Sequence, residues 1–129
     1  MKKNILLILR ITVVIILLQT LWFKFTAHPE SVYIFTKIGL EPYGRIGIGI
    51  IELIISILLV FRKTVWLGAM LTVGVMGGAV FMHLTALGIE VMNDFGVLFY
   101  SALLTFLIAI TLVWMYRKDI PFLRCKINN

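Results

Sequence analysis

Apolar residues fall into four long runs, at about 4–23, 44–61, 65–87 and 95–116, each separated by short polar connections. A hydrocarbon core of about 30 Å takes about twenty helical residues, so each run predicts one membrane span. Within the runs the few polar residues keep a helical period. Arg45, Gly49, Glu52 and Ser56 form a 4-3-4 stripe on the second span, and Thr72, Met76, Ala79 and His83 repeat that spacing on the third. Asp94, Leu98, Ser101 and Thr105 do so on the fourth, and Arg10 and Lys24, fourteen residues apart, share a face of the first. Charged side chains at membrane depth face protein rather than lipid. The expected fold is therefore an all-α membrane protein, an antiparallel four-helix bundle around a polar axis, in a single domain over 1–129. Arg62-Lys63-Thr64 is short enough to make the second and third spans antiparallel neighbours.

Between the first two spans, Pro29 suits a first helical turn and Gly39 a C-terminal stop, with Pro42 beyond it. Val32, Phe35 and Ile38 recur on one face. This segment is too short to cross a bilayer and predicts a helix at the outer surface, over the end of the bundle. Residues 118–129 read as a short solvated tail.

Composition agrees with the membrane reading. Of 129 residues, 61% are hydrophobic and 14% charged, against about 25% charged in soluble domains. The net charge of +6 does not mark a nucleic-acid partner, because the basic residues sit at the ends of apolar runs. Lys2, Lys3, Arg62, Lys63, Arg117, Lys118, Arg124 and Lys126 all fall on one side of a four-span layout. The positive-inside rule then puts both termini in the cytoplasm, with Trp22 and Tyr43 at the outer boundary and Trp66, Trp114 and Tyr116 at the inner one. Met1-Lys2-Lys3 and the run after it resemble a signal peptide, but Arg10 and the ending Trp22-Phe23-Lys24 favour a retained span. The lone cysteine, Cys125, excludes a dithiol mechanism carried by this chain alone. No Cys/His spacing for a metal is present; the methionines read as pliable packing.

The candidate chemistry lies with six charged or titratable residues: Arg10, Glu52, Lys24, Arg45, His83 and Asp94. The second span contains twelve large apolar residues, and at about −0.3 to −0.6 kcal/mol each they outweigh a cost of about 3 kcal/mol for Glu52. Counting 1.5 Å per residue sets Arg10 about 9 Å and Glu52 about 13 Å from the cytoplasmic side. An inner Arg10–Glu52 pair and an outer Lys24/Arg45/His83/Asp94 cluster are the expectation. Each has a plainer reading: the pair fixes register, Lys24 and Arg45 are anchors reaching for the interface, and His83 is solvated. Gly74 and Gly78 form a GxxxG spacing, which predicts close helix packing within the bundle or between protomers of a homo-oligomer.

The residues Leu9-Arg10-Ile11, Lys24-Phe25-Thr26 with Pro29 and Glu30, Gly39, Pro42, Gly44-Arg45-Ile46-Gly47 and Glu52-Leu53 together resemble the DoxX family. Gly68-Ala69, Gly77-Gly78-Ala79 with His83-Leu84, and Asp94 continue the resemblance, which spans about residues 4 to 116. It implies a bacterial inner-membrane protein of four spans. For some members it implies thiol or thiosulfate oxidation coupled to quinone, with membrane or periplasmic redox partners. It supplies no catalytic set. Two functions stand at this point: a redox subunit binding a quinone or similar apolar ligand, and a non-enzymatic binding or assembly protein. A small-solute transporter is a third, disfavoured by the absence of a repeat or a broken helix pair.

Overall fold

The computed structural model describes residues 2–90 and 96–121. Five α-helices carry the fold: α1 (Lys2–Phe25), α2 (Pro29–Lys37), α3 (Tyr43–Val60), α4 (Val65–Met82) and α5 (Val97–Met115). A π-helical turn, His83–Leu87, extends α4, and single 3-10 turns at Arg62–Thr64 and Arg117–Asp119 follow α3 and α5. α1, α3, α4 with its flanking turns, and α5 are each long and apolar enough to cross a membrane. They form an all-α four-helix bundle with α1 against α3, α3 against α4, and α4 against α5. Two ends result. The turn end holds the α3–α4 connection, and the cap end holds α2.

At the turn end the bundle is dry and closely packed. Val13, Leu17, Ile55, Leu59, Val65, Ala69 and Leu112 are fully buried in one cluster. Gly68 lets α3 and α4 meet there: a Cβ on it would stand 3.1 Å from Leu58 and Leu59. Ile120 is fully buried as well. It lies in the stretch expected to be a solvated tail, next to the 3-10 turn after α5, and an isoleucine gains more inside than in water. Tyr116, expected in the interfacial belt, is buried with the core, whereas Trp22, Tyr43 and Trp114 are exposed.

The short helix α2 forms where Pro29 and Gly39 predict it. His28 caps it, its Nδ1 accepting from the Glu30 amide at 3.3 Å. Gly39 ends it at φ +78°, a left-handed conformation that costs glycine little. Its inward face is Ser31, Ile34, Phe35 and Ile38, one residue round from the expected Val32 face. Val32 is half-buried and does not line the cavity, while the i, i+3, i+4, i+7 set beginning at Ser31 does.

The buried polar residues face inward as their spacing predicts, but they do not make a continuous polar axis. Ser56, Thr72 and Thr105 each donate to the carbonyl four residues earlier on their own helix, at 2.9, 2.7 and 2.8 Å. Such hydroxyls are satisfied locally and leave the space between helices to apolar side chains.

Candidate functional site

The four membrane-spanning basic and acidic residues are paired differently from the expectation. Arg10 does not reach Glu52. Its Nε donates to the Leu59 carbonyl at 2.9 Å and its Nη2 to the Val60 carbonyl at 2.6 Å. Glu52 instead pairs with Lys24, Nζ to Oε1 3.0 Å, and accepts from the Thr20 hydroxyl at 2.9 Å. Depth counted along the helix axis misleads here because side chains lean toward the N-terminus of their own helix. On α1 that lean carries Arg10 toward the turn end and Lys24 away from the cap end. On the antiparallel α3 it carries Glu52 toward the cap end, up to Lys24.

Arg10 thereby closes the C-terminus of α3, whose last carbonyls have no partner within the helix. Thr64 completes the job, its hydroxyl donating to Leu58 at 2.7 Å and Phe61 at 3.1 Å. Arg45 does the reciprocal service at the other end. Its guanidinium donates to the Lys24 carbonyl in the last turn of α1 and to both Glu41 carboxylate oxygens, at 2.9 and 3.0 Å. Both arginines place positive charge at a helix C-terminus, where the backbone dipole favours it. The expected outer cluster of Lys24, Arg45, His83 and Asp94 does not assemble among the described residues. Lys24 and Arg45 have partners of their own, and Asp94 lies outside the described residues, as does Cys125.

His83 opens the π-turn and is buried. Its Nδ1 is 3.0 Å from the Gly88 carbonyl. A carbonyl only accepts, so Nδ1 carries the proton and, in the neutral ring, Nε2 is the acceptor. The Phe99 ring meets the imidazole edge-on at 5.8 Å between centroids.

These groups border a cavity of about 580 Å³ in the cap-end half of the bundle. Its roof is the inward face of α2, and most of its wall is apolar: Ile16, Ile48, Ile51, Met76 and Met82 among others. Lys24, Glu52, Thr20, Glu30, His83, Ser31 and Ser101 supply the polar part. The size lies within the about 300–1,000 Å³ range of small-molecule sites, and so does the composition, an apolar lining with a few convergent polar groups. Lys24 and Glu52 were legible as candidates, though not as partners. Thr20 was missed, although it lies one turn before Lys24 on the face that already carries Arg10. Glu41 was missed too, and its i, i+4 spacing to Arg45 is a signal a sequence can show.

Gly74 and Gly78 also border this cavity, and a Cβ on either would meet nothing within 4 Å. Within the bundle the GxxxG spacing opens space rather than joining two backbones. Close contact on α4 runs through Gly68 and through Gly77, whose Cβ would stand 3.1 Å from the Phe106 ring.

Four apolar helices, with one short amphipathic helix closing a cavity between them, define a small multi-pass membrane protein whose surroundings are a lipid bilayer. The chain belongs to the DoxX family, whose family model matches residues 5–85, from α1 through the His83 turn. Arg10, Lys24, Arg45, Glu52 and His83 all lie in the matched part. Comparison with curated proteins and with solved structures found no match.

Proposed function

We propose that this protein binds a membrane-dissolved quinone, or an apolar molecule of similar shape, as a subunit of a thiol- or thiosulfate-linked redox system in the bacterial inner membrane. The observation that carries this is the cavity itself, where an ion pair forms part of an otherwise largely apolar wall. A pair needed only for register could be packed over. This one lines the cavity, although both side chains are largely buried.

The residues fit such a head group. The Lys24 ammonium has three donors, of which one serves Glu52, so a ring carbonyl can accept from another. His83 offers a ring nitrogen, and Ile48 and Met76 suit the ring faces. When bound, a quinone would supply the two-electron acceptor. The protein's part is to seat the ring, exclude water with α2, and exchange protons at the Glu52 carboxylate and the His83 Nε2. By the Lys and Arg distribution, the termini and the α3–α4 turn lie on the cytoplasmic side and α2 faces a periplasmic partner.

Organic extraction of the protein purified in mild detergent is expected to recover quinone, and decylubiquinone is expected to bind. Lys24→Met should weaken that binding about tenfold, the worth of one charge-assisted hydrogen bond. Recovery of no quinone, together with no decylubiquinone binding, would sink the proposal. A partner protein lost on Glu52→Gln, again with no quinone, would favour the assembly role.

A further inference from the structure

We infer that the tail of the bound molecule leaves the cavity between α3 and α4, through a notch at Gly74 and Gly78, into the acyl chains of the bilayer. This rests on the reading of the cavity as a site for a tailed head group. The two helices are close at the turn end, where Gly68 meets Leu58 and Leu59. Nearer the cap end Gly74 and Gly78 meet nothing, and both are exposed while still bordering the cavity. Ile51 and Leu71 do likewise, at 39% and 38% exposed. Residues that touch both the cavity and the lipid-facing surface mark a way between them. On α3, Gly49 turns toward Phe25 of α1, which sets Ile48 and Ile51 on the other flank of Glu52.

A second recess, of about 300 Å³, lies between α1 and α5 and shares Ile16, Thr20, Phe23, Glu30, Leu98 and Ser101 with the cavity. To these it adds exposed Gln19 and Val97. Chemistry separates the two exits. Gln19, Thr20, Glu30 and Ser101 suit water or a head group, whereas Ile48, Ile51, Leu71 and the glycine backbone suit a hydrocarbon chain. Lys24 and Glu52 hold the head between the exits. The ligand class is a single-tailed amphiphile whose ring carries oxygen acceptors.

The test fills the notch without disturbing the fold. A Gly74→Leu/Gly78→Leu double variant adds side chains where space is open, and it replaces two poor helix formers, so its melting temperature should not fall. Wild type and variant, in lipid nanodiscs, are titrated with decylubiquinone and with the same benzoquinone lacking the tail. The variant should lose at least about tenfold in decylubiquinone affinity, equivalent to two or so buried methylenes, and less than about twofold for the tail-less ring. Unchanged decylubiquinone affinity would overturn the exit while leaving the cavity reading intact. So would selective loss of tail affinity in Val97→Phe, which narrows the other recess. Equal loss of both probes in the double variant would also overturn it, since the notch would then shape the head site. Failure of both probes to bind wild type, with no quinone recovered from it, removes the proposed function, and the exit with it.

Discussion

The two halves of this bundle spend their polar residues differently. At the turn end Arg10 and Thr64 are consumed by backbone carbonyls, and between them lie Leu59, Val65, Ala69 and Leu112 with no exposed surface. At the cap end Lys24, Glu52 and His83 are also partnered, yet they border a cavity large enough for a ring. Being charged and inside a membrane does not separate these groups, and neither does being satisfied. What separates them is whether open space remains beside the satisfied group. That criterion is what separates the structural reading of the turn end from the binding proposed for the cap end.

Several substitutions would break this contrast. The largest effect is expected for Lys24→Met, which leaves Glu52 buried with Thr20 alone and should cost about 3–5 kcal/mol in detergent melting. The Lys24→Met/Glu52→Leu double variant should be milder than the sum of the singles, while Arg10→Leu and Glu52→Leu should add, because they share no partner. Additive losses for the first pair would deny the ion pair an energetic role. Next, Leu112→Ala in the dry half should cost about 2–5 kcal/mol through a cavity that its neighbours cannot fill. Ile38→Ala, on a wall that already faces open space, should cost clearly less when melted alongside it. Equal costs would mean that the cap half is as closely packed as the turn half. Arg10→Leu should cost about 1–3 kcal/mol by leaving the Leu59 and Val60 carbonyls without donors, with no change in decylubiquinone affinity. The smallest effect belongs to Thr72→Val, about 0.6 kcal/mol, since its hydroxyl serves only its own helix.

Much of the architecture was legible because apolar runs, caps and breakers act locally. The four spans and α2 follow from run length and from Pro29 and Gly39. That Glu52, Ser56, Thr72, His83 and Thr105 point inward follows from helical spacing. The pairing was not legible, because it depends on which way side chains lean on antiparallel helices and on how far one helix slides along its neighbour. Arg10 and Lys24 share a face, and counting residues alone gave Glu52 to the wrong one. The cavity was illegible for another reason. The spacing of Gly74 and Gly78 is the same whether another helix fills the gap or nothing does, and only the positions of α3 and α5 decide.

The reciprocal arginines carry one more consequence. Arg10 to Lys24 on α1 and Arg45 to Leu59 on α3 are both fourteen residues, about 21 Å of helix. Each guanidinium is fastened to a carbonyl of the other helix, so the two lengths work as a vernier. One residue inserted between the fastenings in one helix would shift that end by about 1.5 Å and turn it by about 100°, releasing one clasp while the other held. A matching single insertion in the second helix would restore the length but not the facing, so both clasps close again only after matched insertions of about two whole turns, roughly seven residues, in each helix. The separation of the clasps is thus a gauge length that α1 and α3 can alter only together.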